Sequence, residues 1–369
     1  MKIGFDAKRA FLNASGLGNY SRNTLNTLKK YYPDFRYILF TPKIKEELFL
    51  NQSQFDILSP KSSASKLRRT FWRTFSLSQQ IEKQKLNVFH GLSNELPDGI
   101  HKIKVPSVVT IHDLIFMRFP KFYNTIDRKI YKQKVKYACN SANKIIAISK
   151  QTKDDIVNFI KINPEKIEVV YQSVSPVFFE KQIAEELRSK YYLPENFIVS
   201  VGTIEQRKNQ LNILKAIHSA KIKIPVIFIG KPTSYKNELT RFISENKMEK
   251  QIVFLSDIPE NDLAGLYQLA NLSVYISVFE GFGLPVIESM ANGCPVLTSN
   301  VSCLPETAGG AAVLCDPGNI YEIGELIRIH LVDELKRGEL IQKGKERAQL
   351  FHPKNYSKKL ISLYSEILS

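Results

Sequence analysis

Short β-type apolar runs recur along this chain, each separated from the next by a stretch with helical spacing, and no other feature limits the possible folds as much. Runs over residues 2–6, 36–41, 87–91, 107–113, 144–149 and 167–171 fill the first half, and runs over 197–201, 225–230, 251–256, 272–277, 295–297 and 311–315 the second. Strands joined through helical crossovers pair in parallel. The alternation therefore predicts two α/β halves, each a parallel sheet with helices on its faces. A chain of 369 residues is long for one core and comfortable for two. Residues 172–194 contain Ser175-Pro176 and a charged helical piece, as a linker would. The expected domains are 1–178 and 179–352, followed at 353–369 by an amphipathic tail carrying Tyr356, Leu360, Leu363, Tyr364 and Ile367.

The most specific stretch is F-E-G-F-G-L-P-V-I-E-S-M-A-N-G-C-P-V over residues 279–296, which reads as the end of a strand, a loop, a helix and a new strand. Gly281 and Gly283 break the strand, and Pro285 suits the first position of a helix. Val286, Ile287 and Met290 give that helix an apolar face, and Asn292-Gly293 stops it. A glycine loop opening a helix presents unpaired N–H groups and the positive end of the helix dipole, a combination that favours phosphate. Pro285 has no N–H, so Gly283 and Leu284 must supply them. Glu280 before the turn and Glu288 in the opening turn border one pocket at a strand's carboxyl end, where open α/β sheets bind ligands. Taken alone, the pair also fits a bland role, with Glu288 complementing the dipole and Glu280 solvated in its loop.

Other strand ends carry chemistry too. Gly16 and Gly18 lie in N-A-S-G-L-G-N-Y (13–20), a G-x-G loop leading into a helix with Leu25 and Leu28. Ser21 stands where a dinucleotide fingerprint wants its third small residue and no acidic ribose partner is evident, so a tight turn explains the glycines equally well. His90 and His112 both end apolar runs. His90 precedes a glycine and lacks an adjacent carboxylate, which suits a core imidazole, whereas His112 is followed by Asp113. Gly202 ends the run 197–201, and Arg207 and Lys208 in the turn beyond it can pair with a pyrophosphate.

The stretch 279–296 resembles the signature of family-4 retaining glycosyltransferases almost residue for residue. S-G-L-G-N-Y, T-I-H-D-L-I-F and V-G-T-I-E-Q-R-K-N look most like bacterial polysaccharide mannosyltransferases. The resemblance implies the GT-B architecture: two Rossmann-like domains facing across a cleft, with the final helix crossing back to the first. It assigns a nucleoside-diphosphate sugar mainly to the second domain and a glycan or lipid-linked saccharide acceptor mainly to the first. It places Glu280 by the donor sugar, Gly281, Phe282, Gly283 and Leu284 by the sugar and phosphates, and Glu288 by the ribose hydroxyls. Gly202, Arg207 and Lys208 fall on the diphosphate. Gly16 and Gly18 close over the donor phosphates and acceptor, His112 approaches the donor sugar, and Asp113 contacts the acceptor or orients its loop. Thr203 departs from the pattern, since many members carry Arg there; Arg207 is expected to take over that charge.

The implied reaction moves a hexose to an acceptor hydroxyl with retained configuration. Attack comes from the face of the leaving group, and the donor phosphate accepts the acceptor's proton. Mannose from GDP-mannose is the first expectation. No metal is expected, because no D-x-D motif follows a strand and Arg207, Lys208 and the helix N-terminus can stabilise the departing diphosphate. No cofactor is expected beyond the sugar nucleotide itself. A nucleotide-sugar epimerase of the same architecture is the first alternative, which product analysis with and without acceptor separates, and a basic nucleic-acid-binding protein is the second.

The formal net charge of +16 has three candidate causes: nucleic acid, an anionic membrane, or a compositional bias towards Lys and Asn. No nucleic-acid motif or aromatic platform appears, so no nucleic-acid partner is expected. The helical stretch 62–85 sets Leu67, Phe71, Trp72, Phe75 and Leu77 among Lys66, Arg68, Arg69 and Arg73. Together with the segments 118–123 and 129–137 it suits anionic lipid headgroups, although a buried aromatic face and a solvated basic one account for it equally. The chain enters its first strand without an apolar signal segment, and no apolar run is long enough for a bilayer. A cytoplasmic protein, peripheral on the inner face of the membrane, is expected. Cys139, Cys294, Cys303 and Cys315 lack metal-ligand spacing and read as reduced packing residues.

Overall fold

The computed structural model describes residues 1–60, 65, 67, 71–182 and 185–369, with only the backbone of Thr74 and Phe75. Lys66, Arg68 and Arg69 of the basic stretch lie outside the described residues. The chain divides into two compact units, Met1–Ser173 with Pro353–Ser369, and Val174–His352.

The first unit holds strands β1 (Lys2–Asp6), β2 (Arg36–Phe40), β3 (Asp56–Leu58), β4 (Val88–Gly91), β5 (Ser107–Ile111), β6 (Lys144–Ala147) and β7 (Ile167–Val169). They pair in parallel in the order β3-β2-β1-β4-β5-β6-β7. Helices cover both faces, which is why the strands read as continuous apolar runs rather than alternating ones. Successive residues serve opposite cores: Phe89, Val109 and Ile145 pack on one side, Val88, Val108 and Ile146 on the other.

The last helix, Pro353–Leu368, returns to this unit as expected and packs beside the helix Gly16–Tyr31. Its apolar spacing brings Tyr356, Leu360, Leu363 and Tyr364 into one core with Phe5, Leu25 and Leu28. Buried tyrosine hydroxyls need partners. Tyr356 Oη meets Thr24 Oγ1 at 3.0 Å and donates to Tyr20 Oη at 2.8 Å, while Tyr364 Oη lies 2.6 Å from His90 Nδ1. Pro353 opens the helix, where its missing N–H costs nothing.

The second unit repeats the plan with β8 (Ile198–Val201), β9 (Val226–Ile229), β10 (Ile252–Leu255), β11 (Leu272–Tyr275), β12 (Val296–Ser299) and β13 (Val313–Cys315). Their order is β10-β9-β8-β11-β12-β13, again parallel throughout. In each sheet the strand order reverses once, between β1 and β4 and between β8 and β11. Ligand sites of such sheets lie outside the carboxyl ends of the strands at that reversal. Among the described residues no helix is long and apolar enough to cross a membrane. All four cysteines are buried and free.

Candidate active site

At the second reversal, β8 runs out into Gly202 and a short turn, Gln206–Lys208, while β11 runs out towards Glu280. The two exits are tied together. Asn209, in the left-handed region at φ 63°, donates from Nδ2 to the carbonyls of Ile276 at 3.2 Å and Pro317 at 2.8 Å, and Val278 N donates to Arg207 O at 2.9 Å. Arg207 and Lys208 thereby face the residue the sequence places beside them in function. Glu280 Oε1 lies 2.6 Å from Lys208 Nζ, and Oε2 lies 2.7 Å from Arg207 Nη1. Arg207 also pairs with Glu205 at 2.6 Å, and Lys208 donates to Tyr275 Oη at 2.6 Å. Burial alone would raise the Glu280 pKa, but Lys208 and then Arg207 outweigh it and hold the carboxyl down to about 2. Burial lowers the Lys208 pKa, with Glu280 acting against it.

Gly202, at φ 146°, leaves room for the Lys208 stem: a Cβ there would meet Lys208 Cε at 3.4 Å. The loop after β11 takes its shape from the segment following β12. Glu280 N donates to Ser302 Oγ at 3.2 Å, Cys303 Sγ donates to Glu280 O at 3.1 Å, and Thr307 Oγ1 donates to Phe282 O at 2.5 Å. Gly281 is buried in this loop. Gly283 has φ 96° and packs so closely that a Cβ would sit 2.6 Å from Leu304 Cδ2, so glycine is required on both counts. The helix Leu284–Ala291 follows, with Pro285 at its second position, so the free amides at its mouth belong to Gly283 and Leu284. The ring of Phe282 is committed elsewhere, packed edge-on against Phe351 at 5.6 Å.

Glu288 is half-buried on that helix, with Tyr267 Oη 3.4 Å from Oε2. Burial, and secondarily the charge of Glu260, push its pKa up to about 8. The two carboxylates of one motif are thus shifted in opposite directions, because the cations in ion-pair contact with Glu280 outweigh its burial, whereas burial prevails at Glu288.

In the first unit, Gly16 and Gly18 form the first turn of the helix Gly16–Tyr31 rather than a loop before it. The turn starts early because Asn13 Oδ1 accepts from both N and Oγ of Ser15, setting the entry. Gly18 has no room for a side chain, since a Cβ would lie 1.7 Å from Asn13 O, whereas Gly16 is open. His112 follows β5, with its Nε2 2.9 Å from Leu92 O and its Nδ1 3.4 Å from Gln172 Nε2. The carbonyl fixes the proton on Nε2 and leaves the Nδ1 lone pair as the weakly held side. Tyr20 stands edge-on to the ring at 4.5 Å. Burial lowers the His112 pKa to about 4. Asp113 Oδ1 accepts from Ile115 N at 3.0 Å and faces a cavity. His90 is the core imidazole expected, with both nitrogens bonded and its pKa lowered by burial to about 3.

Among the described residues, only one arginine of the expected basic surface is withdrawn from it by the fold. Arg73 is half-buried between Asp6 at 2.6 Å and Glu95 at 2.7 Å, whereas Arg118 stays exposed while pairing with Asp155 at 2.5 Å. In each case a buried carboxylate claims the guanidinium, and Trp72 and Leu77 beside Arg73 are core residues. Sequence reasoning also passed over Glu205, Tyr275 and Asn209. Glu205 stands inside the quoted V-G-T-I-E-Q-R-K-N, but an acidic residue beside a basic pair carries no distinguishing spacing.

Two family descriptions divide the chain. "Glycosyl transferases group 1" matches residues 183–347 and "Glycosyltransferase Family 4" matches residues 14–177. The chain is 29% identical over 285 residues to O-antigen chain mannosyltransferase B of Escherichia coli, covering 75% of this chain and 74% of that one. It is 27% identical over 274 residues to the serotype-specific mannosyltransferase WbdA of the same species, which covers 69% of this chain but only 33% of that protein. The Anabaena protein HepE, solved in complex with UDP, superposes with a TM-score of 0.79 at 18% identity, over 99% of this chain and 100% of the other.

Proposed function

The chain belongs to the retaining glycosyltransferases of family 4, with the GT-B fold, and from that premise we propose that it transfers mannose from GDP-mannose to a hydroxyl of a growing cell-surface polysaccharide, free or lipid-linked. The observation that carries the reading is the convergence of Arg207, Lys208 and Glu280 beside the free amides of Gly283 and Leu284 at the strand-order reversal of the second sheet. Two fixed cations and a helix mouth provide for a diphosphate leaving group. The carboxylate beside them provides for the positive charge that develops on the sugar as that group departs. Glu288, on the next helical turn, accepts from the ribose hydroxyls. In the first unit His112 offers Nδ1 as an acceptor to a donor-sugar hydroxyl, and Asp113 orients the acceptor. The acceptor's proton passes to the donor phosphate on the same face, so no side chain needs to serve as a covalent nucleophile. Mannose is favoured by the two O-antigen and serotype mannosyltransferases the chain resembles.

Thermal-shift titration against a panel of nucleotide sugars, followed by product analysis with and without acceptor, tests the assignment. A ligand at a hundred times its Kd stabilises by about 2.7 kcal/mol. GDP-mannose should give the largest shift, and turnover should need an acceptor. Selective stabilisation by a UDP-sugar would overturn the donor, and epimerisation without acceptor would overturn the reaction.

A further inference from the structure

At the strand-order reversal of the first sheet, two cavities share a wall. One, of ≈ 250 Å³, is lined by Arg9, Asn94, Asp113, Phe116, Tyr123 and Tyr131 among others. The second, of ≈ 270 Å³, lies against Leu96, Pro97, Gln133 and Tyr137. Glu95 and Lys134 line both, paired at 3.2 Å. Resting on the glycosyltransferase reading, we infer that these cavities are consecutive subsites for a neutral acceptor oligosaccharide, its terminal ring against Tyr123 and Tyr131 and its preceding ring beyond Glu95 and Lys134.

The chemistry of the lining matches a pyranose, which has one face of C–H groups and a rim of hydroxyls. Tyr131 is 39% exposed and offers the flat surface. It is held by Phe116 at 5.9 Å and Tyr123 at 6.3 Å, both edge-on, and Phe116 is buried behind them. The rim meets fixed polar groups. Asn94 sits in the left-handed region at φ 60° with Oδ1 accepting from His112 N at 2.8 Å, so its amide is locked beside the residue proposed to face the transferred sugar. Glu95, whose pKa burial would raise, is instead held at about 2 by Arg73, Lys134 and Lys8, and so stays ionised at neutral pH and accepts hydrogen bonds from hydroxyls. Arg9 and Lys134 against Glu95 and Asp113 balance in charge, which favours a neutral sugar over an anionic one. Each cavity is smaller than the ~300–1,000 Å³ that encloses a whole small ligand, and the shared wall makes them successive positions for one chain. Asp113 lines the first cavity, which sets the direction: the accepting ring lies there and the rest of the glycan runs out through the second.

The test uses the full-length protein with saturating GDP and saturation-transfer NMR on p-nitrophenyl mono-, di- and trisaccharides of the mannose and glucose series. The disaccharide of the bound series should bind roughly tenfold more tightly than the monosaccharide, about the value of one or two added hydrogen bonds, and the trisaccharide should add little. Tyr131→Ala should weaken all members of that series by a similar factor, while Tyr131→Phe keeps them. Gln133→Trp, which fills the second cavity, should abolish only the gain from the second ring. GDP affinity should be the same in all variants, which also reports that they fold. Equal binding of mono- and disaccharide, binding unmoved by Tyr131→Ala and Gln133→Trp, or binding of neither series while GDP still binds would each overturn the subsites. Failure of wild-type protein to bind GDP or any sugar nucleotide would count against the proposed function instead.

Discussion

Lys208 Nζ and Glu280 Oε1 lie 2.6 Å apart, joining the cation proposed for the diphosphate to the carboxylate proposed for the sugar. Without ligand, the two halves of the donor site neutralise one another, and a diphosphate must share or take over the cations. Glu280→Gln removes a charge that its partners hold nearly buried, and breaking such a pair from one side costs about 3–5 kcal/mol. The variant should melt earlier yet bind GDP at least as tightly as the wild type, because Lys208 and Arg207 then no longer face a negative charge at position 280. Its transfer rate should fall by ~10²–10³, the loss typical of removing one charge-stabilising group. Calorimetric titration with GDP beside initial rates with the full donor checks this, and weaker GDP binding in step with the rate would place Glu280 on the diphosphate instead.

With Glu288 on the ribose as proposed, nucleotide binding should be proton-linked. Its pKa is raised from 4.5 to about 8, so between those values the folded, ligand-free protein keeps a proton that the unfolded chain gives up. Its contribution to stability is therefore fully present at low pH and is lost as pH rises through about 8. Ribose hydroxyls donate to the ionised form, so GDP binding at pH 7 should release about one proton. Calorimetry in two buffers of different ionisation enthalpy measures it. Glu288→Gln should abolish the release and weaken GDP by roughly ten- to a hundredfold. Buffer-independent heats for the wild type would remove Glu288 from the ribose.

His112, with a pKa lowered to about 4, is neutral through the working range. It can act as a hydrogen-bond partner but not as an acid near neutrality. His112→Ala should lower turnover by roughly tenfold or more, the value of one lost hydrogen bond to a charged or developing group, while GDP affinity changes little. The shape of the rate profile between about pH 5.5 and 8 should be the same in both proteins. A rate step near pH 6.5 that disappears in the variant would make His112 a titrating group.

The helix Thr125–Ser141 carries the surface suited to an anionic membrane, because Ile126 and Ile130 are 72% and 42% exposed and Lys129, Lys132 and Lys136 are exposed around them. Phe122, 40% exposed, precedes it. Flotation with anionic vesicles should recover the protein, neutral vesicles or high salt should not, and Ile126→Glu with Ile130→Glu should abolish recovery. Equal recovery on neutral and anionic vesicles would remove the electrostatic part.

The two-sheet plan was legible in the sequence because each strand, covered on both faces, must be apolar throughout, and such runs need no knowledge of their neighbours. Asp56–Leu58 escaped because an edge strand of three residues, none of them buried, carries no such run. The stretch 279–296 was legible for a related reason: glycine at 283 and the lost N–H of Pro285 are local demands of a loop opening a helix. Partnerships were not legible. Lys208 and Glu280 are 72 residues apart, and Arg73 and Asp6 are 67 apart. A basic residue in a strand exit looks the same whether it faces solvent, a phosphate or a buried carboxylate. Tertiary structure alone set Glu280 against two cations and Glu288 where burial prevails, separated His90 from His112, and drew Arg73 in between two carboxylates. The sequence by itself determined which groups stand at the strand ends; the packing of distant strand exits decided their charge, since a pKa follows from what lies within a few ångströms rather than from what is adjacent in the chain.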